Sequence, residues 1–203
     1  MGIPALVRLK LEMEFGIAPA GDVLPPPRSN PDGHPRFVVS RYQGGFARFL
    51  RHDVPEATRR RLLALGPERA VEDEAAVRAA LERDAPLANI WRVRWYVIER
   101  SPAPDEYPEV VVQHGRHVIL VDGEVVARAR TEAESERAAE VGVETLPAYR
   151  RRGYARQVVA SWAAATLRQG KVAYYSHTAD NLASAAVARS LGLTLLSDEV
   201  EYQ

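Results

Sequence analysis

Arg150, Arg151 and Arg152 stand directly before Gly153, Tyr154 and Ala155. Ahead of them runs Val141-Gly142-Val143-Glu144-Thr145-Leu146-Pro147, and behind them Val158, Val159, Trp162 and Thr166 recur at helical spacing. The pattern reads as a buried strand, a turn and the head of a long helix. The first amides of a helix have no partner within it, and the helix dipole favours negative charge there. Gly153 lets a ligand come close to the backbone and Ala155 keeps the next position small. The guanidinium groups add forked donors that match phosphate oxygens. The chemistry that suits such a run is anion binding, best of a pyrophosphate. The G-x-G-x-x-G dinucleotide pattern and the nucleoside-triphosphate loop ending in Gly-Lys-Ser/Thr are both absent from the sequence.

The elements around this run are readable in the C-terminal half. Val93, Trp95 and Val97 alternate as in a half-buried strand, and Trp91, Trp95 and Trp162 read as core. Short strands are predicted over residues 110–113, 117–121 and 125–130, with Asp122-Gly123 as a hairpin turn. A strand over 139–145 leads into the arginine loop and a helix from Tyr154 to Gln169, stopped by Gly170. A strand over 172–177, a helix from Asn181 to Leu191 and a last strand from Leu193 to Tyr202 follow. This order predicts an α+β fold with a mixed, mostly antiparallel twisted sheet flanked by helices.

The N-terminal part carries no nameable motif. Leu9, Leu11, Met13 and Phe15 alternate like a strand, while the residue types favour a helix, so that segment is open between the two. Six prolines and three glycines between residues 16 and 35 read as a long loop, and Ser101 to Pro108 as a second break. Residues 36–42 and 46–51 around Gly44-Gly45 read as a hairpin. Asp53 with Glu56 reads as a helix start, and a further helix is expected from Val71 to Arg83. The division expected is an N-terminal α/β extension over 1–88, covering the acceptor site, and a core over 89–203.

Composition bounds the function. The 203 residues are 46% hydrophobic and 27% charged, enough for a sizeable core. Lys+Arg and Asp+Glu are 27 each, and the zero formal charge speaks against a dedicated nucleic-acid binder. Only Lys10 and Lys171 are lysines, which reads first as coding bias. The absence of cysteine excludes disulfides, thiolate metal sites and a cysteine nucleophile. His114 and His117 lack a third ligand, so no metal is expected. Residues 158–167 are too short an apolar run to span a bilayer, and no signal peptide is visible, so a cytoplasmic protein without membrane contact is expected.

Arg150-Arg151-Arg152-Gly153-Tyr154-Ala155, after a strand and opening a helix, resembles the Gln/Arg-x-x-Gly-x-Gly/Ala motif of the GNAT superfamily of acetyl-CoA-dependent N-acetyltransferases. Asn181 to Leu193 is similar to that family's second block, with Leu193 in place of its aromatic. The resemblance covers roughly residues 90–203, and the extra N-terminal structure resembles FR47-like members.

The resemblance implies specific roles. The amides of Arg152, Gly153, Tyr154 and Ala155, with Arg150 and Arg151, would hold the pyrophosphate of acetyl-CoA, used as co-substrate without a metal. Backbone groups of Val143 and Thr145 would pair with the pantetheine arm, and an amide near Val143 would stabilise the oxyanion. Asn181 and Ser184 would contact the pantetheine or phosphate region. A primary amine of a small molecule or peptide would attack the thioester directly. An alkylamine is mostly protonated near neutral pH, so a base is called for. Glu144 and Glu140 share a face of the motif strand and rank ahead of His177.

Simpler roles stand beside these. The arginines would also suit a solvated helix start or nucleic-acid phosphates, Asn181 a helix cap, and the two glutamates a solvent-facing strand. Ala188 occupies the position of the family's usual thiolate-protonating Tyr, which leaves Tyr174, Tyr175 or water for that task. It also leaves a second reading, a non-catalytic acyl-CoA-binding or regulatory module. Acceptor, acyl preference and homodimer formation are not readable.

Overall fold

The computed structural model describes residues 1–15, 23–24, 34–100 and 107–203. Most of the proline-rich stretch 16–35, and residues 101–106 of the second break, lie outside the described residues. The chain forms two compact units, Met1–Trp95 with Leu196–Gln203, and Tyr96–Leu195. The expected division at 88/89 separates an extension from a cofactor core on functional grounds. The compact units instead part after Trp95, and the end of the last strand packs in the N-terminal unit.

In the N-terminal unit, helix α1 spans Ile3–Phe15. Its Leu6, Val7, Leu9, Lys10, Leu11 and Met13 are all buried. A helix buried nearly all round shows no clean 3.6 periodicity, which is why its apolar positions alternate like a strand's. β1 (Val23–Leu24) pairs parallel with β3 (Gly45–Arg51), and β3 forms a hairpin with β2 (Phe37–Tyr42). β10 (Thr194–Tyr202) lies antiparallel to β2, with Tyr202 opposite Phe37, and β4 (Ile90–Ile98) follows in the order.

α2 (Glu56–Ala64), α3 (Pro67–Glu72) and α4 (Glu74–Leu81) supply Leu62, Val71, Val77 and Leu81 to a core shared with Phe37, Val39, Leu50, Val200 and Tyr202. Two local expectations are corrected here. The α2 cap is Pro55, because Asp53 is ion-paired to Arg51 Nε at 2.7 Å. The helix expected over 71–83 is two helices, because Asp73 leaves helical geometry and its carboxylate accepts the Ala76 amide at 2.9 Å, starting α4 afresh.

In the unit Tyr96–Leu195 the strand order is β4-β9-β8-β7-β6-β5. β5 (Val110–Gln113), β6 (Arg116–Val121), β7 (Glu124–Glu134) and β8 (Ala138–Thr145) form an antiparallel meander. Both Asp122 and Gly123 have positive φ, at 52° and 84°, as a two-residue hairpin of matching twist requires. α5 (Tyr154–Arg168) crosses from β8 to the parallel β9 (Val172–Thr178), and α6 (Leu182–Ser190) follows. Val158, Val159, Trp162 and Ala163 of α5 pack on Ala127, Ala129, Ala139, Val141 and Ala173 of the sheet. Trp162 also donates its indole N–H to Thr131 Oγ1 at 3.0 Å. Trp95 and Trp162 are core as expected, whereas Trp91 is exposed and bonds Gln203 through its indole N–H. The mixed, mostly antiparallel sheet with flanking helices is the architecture observed.

Candidate active site

β8 and β9 share a register only from Ala138↔Val172 to Glu140↔Tyr174. β8 then continues to Thr145 along β7, with Val143 opposite Ala129 and Glu144 opposite Arg128. Just past the strand, Leu146 N–H donates to Val126 O across to β7. Backbone groups of a strand alternate in direction, so those of Thr145, Val143 and Val141 point the other way, toward the side that β9 has left. The Thr145 carbonyl accepts from Arg150 Nε at 3.3 Å, consistent with that direction.

After β8 the chain makes one 3-10 turn, Pro147–Tyr149, and reaches the head of α5 through Arg150 to Gly153. Arg151 and Gly153 both have positive φ, at 63° and 82°. That loop turns the first amides of α5 outward, and no side chain caps them. A Cβ on Gly153 would meet nothing within 4 Å among the described residues, so the backbone there is open to a close approach. The carbonyl of Gly153 accepts from Gln157, the first bond of the helix. Arg152 lies 5.0 Å over the Tyr149 ring and donates to Ala148 O at 3.4 Å.

α6 forms the facing wall. Asn181 Oδ1 accepts the Ser184 amide at 3.0 Å, so Asn181 is its N-cap. The Ser184 carbonyl accepts from the Tyr175 hydroxyl at 3.2 Å, and Arg156 Nε of α5 donates to Ser190 O at 3.3 Å. Burial pushes the Tyr175 phenol up from its ordinary value. Ala188 is buried in the core.

These walls enclose a cleft of about 1010 Å³. Val143, Glu144 and Thr145 line it from β8, and Arg150, Arg151, Gly153, Tyr154 and Ala155 from the loop and α5. Asn181 and Ser184 line it from α6. Of the cofactor residues named from the sequence, Arg152 alone is outside the lining. Arg128, Tyr149 and Val125 to Ala127 also line it and were not foreseen. Counting back from the Ser135–Arg137 connection would have set Arg128 opposite Glu144, had the bulge between Thr131 and Ala133 been visible.

The three base candidates fare differently. Glu144 lines the cleft, exposed, and receives two N–H bonds from Arg128, at 3.0 and 2.5 Å. Glu140 is outside the lining and accepts from Ser176 Oγ at 2.6 Å. His177 is buried, stacked on Tyr96, and lies outside the lining too. Its Nδ1 is 2.8 Å from Thr178 O, an acceptor, so Nδ1 carries the proton and Nε2 accepts from the Tyr96 hydroxyl at 3.2 Å. Tyr174 and Tyr175 are outside the lining as well.

The parallel pair β8 and β9 parts beside a helix head that has no side-chain cap and is flanked by arginines. Residues 113–201 match the family model GNAT acetyltransferase. The resemblance carried by Arg150–Ala155 and Asn181–Leu193 is thereby shown over this part of the chain, and the family's chemistry is acyl transfer. No curated protein matches the chain.

Among solved structures, a GNAT-family protein from Novosphingobium aromaticivorans is 20% identical, over 58% of this chain and 67% of that one, with a TM-score of 0.49. A GCN5-related N-acetyltransferase-like protein from Streptococcus suis is 17% identical, over all of both chains, at 0.48. A GCN5-related N-acetyltransferase from Sphaerobacter thermophilus is 12% identical, over 85% and 77%, at 0.49. Likenesses this distant carry nothing about the chemistry of this chain. Among the described residues, no helix is long and apolar enough to cross a membrane.

Proposed function

We propose that the chain is a cytoplasmic N-acetyltransferase that moves the acetyl group of acetyl-CoA to a primary amine. The observation that carries this reading is the uncapped head of α5, opening into the cleft beside the part of β8 that β9 has left. The amides of Gly153, Tyr154 and Ala155, with Arg150 and Arg151, take the pyrophosphate. The backbone of Thr145 and Val143 takes the pantetheine arm as an added strand would. The Val143 N–H polarises the thioester carbonyl in this reading. The amine nitrogen attacks the carbonyl carbon, the C–N bond forms and the C–S bond breaks. The amine proton goes to a base, for which Glu144 is the one candidate in the lining. The departing thiolate, of pKa about 8.5, needs little acid help.

A second reading, an acyl-CoA-binding module without turnover, is favoured by one observation. Ala188 is buried in the core where the family's Tyr would stand, and the Tyr175 hydroxyl is spent on the Ser184 carbonyl. Thiol release from acetyl-CoA across a panel of small amines and peptides, with calorimetry of coenzyme A binding alongside, separates the two. Amine-dependent release supports the transferase. Binding without release supports the module, and no binding overturns both.

A further inference from the structure

Glu144 does not stand alone in the cleft. It lies on β8 directly opposite Arg128 on β7, and both residues belong to the lining. Among the described residues, Glu144 is the one carboxylate there, beside Arg128, Arg150, Arg151 and Arg156. Arg150 donates to the Thr145 carbonyl at the loop, and Arg156 to the Ser190 carbonyl of α6. Arg128 alone of the four sits on a strand, and its charge is matched by Glu144.

The pair has bonding capacity left on both partners. Arg128 Nε and Nη2 both donate to the same oxygen, Glu144 Oε2, at 3.0 and 2.5 Å. Among the described residues nothing bonds Glu144 Oε1 or Arg128 Nη1. A guanidinium has five N–H donors and a carboxylate about four acceptor sites, so each partner can take a second ion while keeping the first. The two side chains are 39% and 60% exposed, and an ion pair in that setting opens at small cost.

This pairing constrains what can approach. An ammonium drawn to Glu144 competes with Arg128 for one carboxylate, and an amine without an acid group leaves the guanidinium short of a partner. A molecule that carries both an ammonium and a carboxylate satisfies both ions at once. Its ammonium takes Glu144 Oε1, and its carboxylate takes the free side of the Arg128 fork. Val125 of β7 and Leu146 just past β8 also line the cleft, each more than a third exposed, and offer apolar surface to a side chain.

We propose that the acceptor is a free amino acid with a small or apolar side chain, its amine received by Glu144 and its carboxylate by Arg128. The proposal rests on the acetyltransferase reading and makes Arg128 the residue that selects for the acid group. The ammonium first gives a proton to Glu144, which passes it to solvent. The neutral amine attacks, the C–N bond forms and the C–S bond breaks. Coenzyme A leaves as the thiolate and takes up the second amine proton, and the product is an N-acetyl amino acid.

The test uses the full chain with acetyl-CoA and follows thiol release. Alanine, leucine and phenylalanine are each compared with the α-amide and with the amine that lacks the carboxyl group. The amide also stands in for a peptide N-terminus. The amino acids should have a kcat/KM at least about tenfold above either counterpart, as loss of a charge-assisted hydrogen bond implies. Arg128→Gln should erase most of that ratio, chiefly through KM, and Arg128→Lys should keep part of it. Where Arg128→Gln fails to fold, the matched amides on the wild type carry the comparison. Binding is read separately, as amide NMR shifts at Arg128 and Glu144 in the chain saturated with coenzyme A. Release with the plain amines or the amides as fast as with the amino acids would overturn the proposal and leave the transferase reading standing. So would a ratio that survives Arg128→Gln, or no shift from any of the three amino acids. Shifts without release from any amine would support the amino-acid site and overturn the transferase reading.

Discussion

Glu140 and Tyr174 are the last partners in the parallel ladder of β8 and β9, and the two strands run on to Thr145 and Thr178 with no further shared register. Backbone donors and acceptors along such a parting need partners, and water or an extended ligand can supply them. The parting sits beside the head of α5, whose first amides have no partner within the helix and, among the described residues, no side-chain cap. One stretch of chain, from Val143 to Ala155, thus presents strand backbone and a helix head to a single cleft.

Gly153 tests the helix head directly. At φ 82° a side chain is strained by about 1–2 kcal/mol, although the space in front of the residue is open. Gly153→Val should therefore leave the far-UV circular dichroism near wild type while lowering coenzyme A affinity at least about tenfold in calorimetry. Unchanged affinity would remove the pyrophosphate from this position.

Arg150 bonds the Thr145 carbonyl and faces the cleft, so it joins the strand and helix parts of the site. Arg150→Ala should weaken coenzyme A several-fold and flatten the salt dependence of its binding, since one phosphate-facing charge is gone. Acetyl-pantetheine, which lacks the pyrophosphate, should bind the variant and the wild type alike. Equal losses for both ligands would assign Arg150 to shaping the loop instead.

Asn181 separates capping from ligand binding. Asn181→Ala removes the bond to the Ser184 amide and should cost about 1 kcal/mol, within a range of roughly 0.5–2. Asn181→Asp keeps a capping oxygen and should retain the melting temperature. It also places a negative charge in the cleft proposed for the pyrophosphate, so coenzyme A affinity should fall in calorimetry. An aspartate variant with full affinity would leave Asn181 as a cap and nothing more.

What the sequence made legible follows burial. The run from β5 to β10 was readable because its strands and helices each bury one face or one stripe against a single sheet, and its turns carry Asp122-Gly123, Gly170 and Gly192. α1 was not, because burial on most of its surface erases the helical period. The break at Asp73 depends on one local carboxylate–amide bond that competes with the helix. Most of the cleft was foreseen from two short motifs. Arg128 was not, since its place opposite Glu144 depends on a bulge that no residue type announces. Glu140 and His177 have the right chemistry for a base, but strand position alone could not tell that Ser176 and Tyr96 engage them outside the cleft.

The N-terminal unit holds a buried ionic cluster whose pH response can be signed. Lys10 Nζ, fully buried, is 2.7 Å from Glu14 Oε2 and 2.5 Å from Glu199 Oε1, and lies 4.2 Å from the Trp95 ring. Ser40 Oγ donates to Glu199 Oε2. Burial alone would pull the Lys10 ammonium down, but Glu14, Glu199 and Glu201 together hold it above its ordinary value. Burial drives the Glu201 carboxyl well above the usual range, with the charges of Glu14 and Glu199 adding to it and Lys10 opposing. A raised folded value means that the native state binds the proton more tightly than the unfolded chain. The resulting stability is present below the unfolded carboxyl value, about 4.3, and is lost as pH rises through the raised one. Lys10 loses its own contribution only above the lysine range, so a window from about pH 5 to 9 isolates Glu201. Glu201→Gln keeps a donor toward Glu199 and does not titrate. Relative to this variant, the wild-type melting temperature should fall as pH rises, by roughly 2–4 °C for each kcal/mol of linkage. Melting curves that shift in parallel across the window would show that Glu201 is ionised in the folded protein throughout.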